Sequence, residues 1–184
     1  MSELRKITPQ KLLWVDLEMT GLDPRQHRIV EVAAMVTDWD FNELGAYEAV
    51  VHQSPQVLER ADPIAKQMDK TSGLWDKIPH GLPERDVEKA LCDFIKQHFG
   101  DQPALLAGNS IHVDRMFIRA YWPSMDKLLH YRMLDVSAWK VVMIGKYNIQ
   151  FQKSEKHRAL DDIRESIAEL KFYLDKAKFN DANS

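Results

Sequence analysis

The stretch LLWVDLEMTG, residues 12–21, starts as a continuous apolar run and ends in two carboxylates followed by a glycine. Such a run is typical of a buried strand that leads into a turn. Because successive side chains of a strand alternate between its faces, Asp16 and Glu18 should project to the same side, about 6 to 7 Å apart. Two carboxylates beside an apolar run destabilise the fold unless a cation or hydrogen-bond donor compensates them. The pair indicates a metal site, although a strand whose carboxylates emerge into solvent would have the same sequence.

The size and composition of the chain predict one globular domain. It has 184 residues, of which 45 % are hydrophobic and 29 % are charged, and residues 178–184 form a polar tail. We therefore expect a single domain over residues 1–184. No apolar run approaches the roughly 18 residues that span a bilayer, and no signal-type segment precedes the first strand. With Cys92 as the single cysteine, these features predict a cytoplasmic protein that makes no membrane contact.

The charge of the chain limits its nucleic-acid partners. A formal net charge of -3 argues against a surface that holds long nucleic acid through many phosphate contacts, because that mode needs a basic excess. It leaves open a short anionic substrate that is bound locally. Acidic residues that bind divalent cations also add negative formal charge, so the total understates how positive an occupied site would be.

The order of elements predicts an α/β fold. Strands are expected at residues 12–19, 28–38 and 45–52, and the short connections between them favour an antiparallel meander. Further strands are expected at 104–108 and 133–136, with helices at 83–99, 112–121, 137–144 and 158–176. Three early strands followed by strand–helix alternation predict a mixed sheet flanked by helices.

Two of these helices carry acidic residues that can approach the first pair. Asp114 heads a face that continues with Phe117, Ile118 and Tyr121 at helical spacing, so it should point inward. In the last helix, the stripe of residues 163, 167, 170 and 174 places Asp161 towards water and Asp162 at the border of the core. An aspartate in a first helical turn is also commonly held by the amides of the helix end, which is the structural alternative for Asp114.

The four carboxylates and His157, on the loop before the last helix, form one constellation. Oxygen ligands suit Mg²⁺ or Mn²⁺, and carboxylate sites of this kind serve two-metal phosphoryl chemistry. Zinc fits less well, since the chain has one cysteine and a single candidate histidine here. An unperturbed histidine can act as a general base towards a water molecule. A surface or helix-capping histidine is the alternative for His157 taken alone.

The motifs resemble a known family. DLE at residues 16–18, Asp114, and HRALDD at residues 157–162 resemble the DEDD exonuclease superfamily, in its histidine-containing branch. Within it the chain resembles the oligoribonuclease family over roughly residues 11–174. The supporting stretches are residues 14–22, 108–115, 131–137 and 157–166.

The resemblance implies a ribonuclease H-like fold with a five-stranded central sheet. It implies 3′-to-5′ hydrolysis of very short RNA, chiefly diribonucleotides, to 5′-mononucleotides. Two divalent cations, Mg²⁺ or Mn²⁺, would be held by the four acidic residues, which are Asp16, Glu18, Asp114 and Asp162. His157 would deprotonate the attacking water.

The same resemblance implies substrate-binding residues and a homodimer. Leu22 would be a wedge between the two bases, and Trp75 could stack on a base. The 5′-phosphate would be capped by Ser110, Arg132 and Ser137, with Tyr131 and Arg132 coming from a second subunit. Core or turn packing is the structural alternative for Leu22, and a buried structural tryptophan is the alternative for Trp75.

Two further functions stay open from the sequence. The same metal site could serve single-stranded DNA ends, as in related proofreading or repair exonucleases. The fold could also form a nucleotide-binding module without catalysis, although all five chemical positions are present. Turnover of a 5′-phosphorylated diribonucleotide against that of a 20-mer distinguishes the first alternative, and the absence of metal-dependent hydrolysis would support the second.

Overall fold

The computed structural model describes residues 9–68, 73–152 and 159–177. One sheet contains the strands β1 (Leu12–Met19), β2 (Ile29–Thr37), β3 (Glu43–Val50), β4 (Ala104–Gly108) and β5 (Leu129–Asp135). Their spatial order is β3-β2-β1-β4-β5. The pairs β1–β2 and β2–β3 are antiparallel, whereas β4 runs parallel to both β1 and β5. The predicted mixed sheet, with an antiparallel meander first, is confirmed.

Helices cover both faces of this sheet. They are α1 (Pro55–Glu59), α2 (Pro63–Met68), α3 (Leu74–Lys77), α4 (Glu84–Phe99), α5 (His112–Tyr121), α6 (Pro123–Asp126), α7 (Val136–Tyr147) and α8 (Ala159–Ala177). A 3₁₀ turn, Ile78–His80, follows α3. Among the described helices, none combines the length and apolarity that crossing a membrane requires.

The last strand is longer than predicted. β5 begins at Leu129, four residues before the predicted start, although Leu129, Tyr131 and Met133 alternate with His130 and Arg132 in the pattern of a strand. Its end is sharp. The Asp135 carboxylate accepts a hydrogen bond from the Ser137 backbone N–H at 2.9 Å, which caps α7. That helix continues to Tyr147 and ends at Asn148, which has a left-handed φ of 54°.

Alternation along β1 separates two apolar clusters. One cluster joins odd positions of β1 to α4 and α5 and includes Leu13, Val15, Leu17, Val87, Leu91, Phe117 and Ile118. The other joins even positions to α8 and includes Leu12, Trp14, Met35, Ile163, Ile167 and Leu170. Asp16 and Glu18 continue the even series. They therefore lie on the face that α8 covers, at the carboxyl end of the strand.

Candidate active site

Three carboxylates from β1 and α8 meet in one place. Asp16, Glu18 and Asp162 each direct a ligand oxygen into a group whose atoms all lie within 4.8 Å of one another. We call these three residues the acid cluster. Their side chains are half-buried. The cluster forms because α8 packs its apolar stripe on the even face of β1, which brings the border of the helix to the strand end.

Asp114, in the first turn of α5, contacts the same strand. It is 7 % exposed, and its Oδ1 accepts a hydrogen bond from the Leu17 backbone N–H at 3.0 Å. The carboxylate is thus fixed to the backbone between Asp16 and Glu18. Burial raises the pKa of Asp114 to about 7, against the lowering effect of the Leu17 N–H and of its own N–H. A bound cation would favour the charged form.

The residues present fit a divalent metal ion. Every donor in the acid cluster is a carboxylate oxygen, the ligand type that Mg²⁺ and Mn²⁺ prefer. Like charges at such short separation oppose one another unless a cation lies among them. The neighbouring Asp161 differs, because its Oδ1 lies 3.3 Å from the Arg164 guanidinium near the surface. Asp161 thus lies towards the surface and Asp162 at the border of the core, as the helical spacing predicts.

His157 lies outside the described residues, in the gap that ends just before α8 begins at Ala159. A role as general base stays a prediction from the sequence.

Leu22 lies exposed on the turn after β1. Leu22 is 72 % exposed, whereas a Cβ on the preceding Gly21 would lie 2.5 Å from the ring of His27. A larger residue there would force the His27 imidazole away from the backbone. The far end of the turn is pinned to α5, where the Arg28 guanidinium carbon lies 4.7 Å from the centre of the Tyr121 ring. The Tyr121 hydroxyl also donates to the His27 carbonyl at 2.8 Å.

Trp75 lies against a small third cluster. Its half-buried ring packs beside Val30, Leu74 and Ile78. The indole N–H is buried and has no hydrogen-bond partner among the described residues. This placement agrees with the alternative of a structural tryptophan, and stacking on a base stays a prediction.

Ser110 and Ser137 meet beyond the carboxyl ends of two parallel strands. Ser110 follows β4, Ser137 follows β5, and their hydroxyl oxygens are 3.1 Å apart. The backbone N–H of Ser110, which has a left-handed φ of 49°, donates to Ser137 Oγ at 2.9 Å and to Asp135 Oδ1 at 3.0 Å. Ligand sites of open α/β sheets commonly lie at this edge.

Tyr131 and Arg132 lie on the exposed edge strand. Both side chains are exposed, and Arg132 places its guanidinium carbon 5.2 Å from the centre of the Tyr131 ring. β5 has only β4 as a neighbour in the sheet. Its outer edge is thus open in the described chain.

The sequence interpretation missed a buried polar network behind the serine pair. Asn109 donates through Nδ2 to Ser166 Oγ at 2.8 Å and to Glu169 Oε2 at 3.1 Å, while its Oδ1 accepts from Ser137 Oγ at 3.2 Å. We call Asn109, Ser110, Ser137 and Glu169 the hydroxyl network. A signal was available, because Ser166, Glu169 and Tyr173 recur at helical spacing beside the apolar stripe of α8.

Known proteins resemble this chain in sequence. The profile of the RNase T family, described as exonuclease, matches residues 13–170. An oligoribonuclease of Corynebacterium diphtheriae is 46 % identical over 170 residues, which cover 89 % of this chain and 81 % of that protein. An oligoribonuclease of Actinobacillus pleuropneumoniae is 41 % identical over 179 residues, covering 92 % and 95 %.

Solved structures share the fold at low identity. A structure of exonuclease I superimposes with a TM-score of 0.68 at 16 % identity, covering 91 % of this chain and 43 % of that chain. The Escherichia coli exonuclease I complex with a dT13 oligonucleotide gives a TM-score of 0.65 at 18 % identity, covering 90 % and 41 %. The present chain therefore spans about two-fifths of these proteins, and the likeness establishes the fold.

Proposed function

The chain belongs to the oligoribonuclease family of exonucleases and is a hydrolytic 3′-to-5′ exoribonuclease, and we propose that its substrates are very short RNAs, above all diribonucleotides. The products are 5′-mononucleotides. A single exonuclease domain catalyses the hydrolysis, in the cytoplasm. The observation that carries this proposal is the acid cluster, whose three carboxylates lie within 4.8 Å of one another. Three converging carboxylates suit phosphodiester hydrolysis better than nucleotide binding alone.

The four acidic residues divide into a cluster and a fixed neighbour. Asp16, Glu18, Asp162 and Asp114 would hold two divalent cations, Mg²⁺ or Mn²⁺, which supply Lewis-acid stabilisation of charge at the scissile phosphate and the attacking oxygen. Asp114 is anchored by the Leu17 N–H, so its carboxylate is positioned before substrate arrives. His157 would accept the proton of the attacking water, a role that an imidazole suits because the ordinary pKa of histidine lies near neutrality.

The serine pair and Leu22 support selection for length. Ser110 and Ser137 lie with their hydroxyl oxygens 3.1 Å apart, where the exposed Ser110 hydroxyl would bind a terminal 5′-phosphate beside Ser137, and the planar fork of Arg132 would complete the cap. A capped 5′ end leaves no path for further nucleotides. Leu22, exposed on the turn after β1, would separate the two bases, and Trp75 would stack on a base. The net charge of -3 agrees with a site that binds no long nucleic acid.

An exposed apolar surface supports a homodimer. It combines the edge of β5 with α7 and includes Tyr131, Met133, Val141, Val142, Ile144 and Tyr147. We call it the β5–α7 surface. Exposed apolar side chains of this kind commonly mark an interface, and a two-fold contact there would carry Tyr131 and Arg132 from one copy to the site of the other.

The test is a length series of 5′-phosphorylated RNA, from two to seven nucleotides, assayed with Mg²⁺, with Mn²⁺ and with EDTA. We expect the diribonucleotide to be cut fastest and EDTA to stop all turnover. A DNA 20-mer serves as the comparison. If the 20-mer or the heptamer were cut as fast as the dimer, the capped site would be wrong, and metal-independent turnover would contradict the role of the acid cluster.

A further inference from the structure

Glu169 is a buried carboxylate with a set of donors around it. Its side chain is fully buried in α8. The Tyr173 hydroxyl donates to Oε1 at 2.9 Å, the Asn109 amide donates to Oε2 at 3.1 Å, and the Lys140 ammonium lies 3.8 Å from Oε1. Burying a carboxylate costs stability, and an apolar residue of similar volume is commonly as stable or more so at such a position. The position thus calls for an explanation other than core packing.

The carboxylate fixes the direction of the hydrogen bonds in the hydroxyl network. A carboxylate accepts only, so the Asn109 amide must turn its nitrogen towards Glu169 and its oxygen towards Ser137. Ser137 then donates its single proton to Asn109 Oδ1, at 3.2 Å. The lone pairs of Ser137 Oγ remain for the Ser110 N–H, at 2.9 Å, and for the Ser110 hydroxyl, at 3.1 Å.

With the hydrogen bonds of the network in this direction, one hydroxyl proton remains that can be donated to a ligand. The Ser137 proton is committed to Asn109, whereas the exposed Ser110 hydroxyl can rotate from Ser137 towards solvent. We propose that Glu169 is a positioning residue that acts through Asn109 and Ser137 to set the Ser110 hydroxyl as the donor to a terminal 5′-phosphate. This inference rests on the proposed function, since it names the group that orients the cap of that site.

One helix links the orienting carboxylate to the acid cluster. Asp162 and Glu169 are seven residues apart in α8, which is about two turns and about 10.5 Å along the axis, so both lie on nearly the same face. A rigid element thus holds both the carboxylate that belongs to the acid cluster and the one that orients the cap. The separation between the two ends of the site is set by helix geometry.

The test is Glu169→Gln, with Asp175→Asn, an exposed acid-to-amide change in the same helix, as the matched control. A glutamine can donate, so the Asn109 amide can reverse and the direction imposed on Ser137 is lost. We expect kcat/KM for a 5′-phosphorylated diribonucleotide to fall about tenfold, mainly through KM, a typical effect of losing an outer-sphere partner. Turnover of the 5′-hydroxyl diribonucleotide should change less than about twofold, and Asp175→Asn should change neither substrate.

Further variants separate the possible failures. Equal losses on both substrates, or no loss on either, would overturn the role of Glu169. If Ser110→Ala reduces the preference for the 5′-phosphate while Glu169→Gln does not, the cap stands and the positioning role is wrong. If the wild type has no such preference, the cap itself is wrong and the positioning role falls with it. Asn109→Ala removes the half-buried amide that connects Glu169 to Ser137. This variant must lose the preference for the 5′-phosphorylated dimer, and it provides the test even if Glu169→Gln fails to fold.

Discussion

The acid cluster and the hydroxyl network lie along the same helix but are built in different ways. The acid cluster takes two residues from one strand face and one from the border of an apolar stripe in α8. The hydroxyl network takes its serines from the two segments that follow β4 and β5, and α8 supplies Glu169 and the Ser166 hydroxyl, which both accept from Asn109. The proposed metal site therefore depends on the regular spacing of residues within β1 and α8. The proposed recognition of the 5′ end depends instead on the order of the strands in the sheet, which brings the segments after β4 and β5 together. Variants at each end should therefore fail differently.

The largest expected effect is the loss of a carboxylate from the acid cluster. Asp162→Ala should lower kcat on the diribonucleotide by about 10³-fold or more, because the charge that forms in the transition state loses an organised partner. Asp161→Ala should retain most activity, since Asp161 pairs with Arg164 near the surface. Steady-state assays of both variants with Mg²⁺ check this. Equal losses would show that the two carboxylates share one environment.

At the other end of the site, Arg132→Ala should affect recognition instead of chemistry. An arginine–phosphate contact is worth roughly 1.5 to 3 kcal/mol, so KM for the 5′-phosphorylated dimer should rise about 10- to 100-fold. The matching 5′-hydroxyl dimer should be cut at nearly the wild-type rate. Steady-state assays that compare KM and kcat for the two substrates test this prediction. A uniform loss would place Arg132 outside the cap.

A charge on the β5–α7 surface should separate the subunits. Val141 is 71 % exposed, and Val141→Asp would bury an unpaired carboxylate in the proposed interface. Dissociation should become at least about tenfold easier, measured by light scattering during gel filtration. Leu44→Asp is the control, because Leu44 is also exposed but lies on β3 at the opposite edge of the sheet. Loss of the dimer in the control, or its persistence in Val141→Asp, would exclude this interface.

The smallest effect is expected at the turn. Leu22→Ala should leave the free energy of unfolding within about 0.5 kcal/mol of the wild type, because the side chain is largely exposed. It should reduce the preference for the dimer over the heptamer by about fivefold, as expected for a leucine that packs on bases. Chemical denaturation and the length series measure the two quantities. A large loss of stability with unchanged preference would make Leu22 a packing residue.

The sequence predicts the sheet and the positions of the acidic residues well, because both depend on periodicity. The alternation in β1 and the stripe of α8 were sufficient to place Asp162 at the edge of the core, and the spacing in α5 predicts the buried face that Asp114 begins. Asn109 and Glu169 could not be paired in this way. They are 60 positions apart and meet only because β4 lies next to β1, beneath α8. That order follows from packing of the whole chain.

The edge strand β5 is a second place where the prediction from the sequence differs from the structure. In β5, Leu129, Tyr131 and Met133 alternate with His130 and Arg132, so the period of a strand is present in the sequence, and the predicted start is nevertheless four residues too late. Similarly, tryptophan is a residue type that often stacks on bases, yet the ring of Trp75 packs on Val30 and Ile78. Aromatic residues alone do not separate binding from packing.

Metal binding by the acid cluster is the claim on which the other proposals depend. The most direct measurement is a calorimetric titration of Mn²⁺ into the wild type, Asp162→Ala and Asp161→Ala under identical conditions. Binding by the wild type and by Asp161→Ala, with at least about tenfold weaker binding by Asp162→Ala, is the predicted result. Equal Mn²⁺ affinity in all three proteins, or the absence of binding in the wild type, would contradict it.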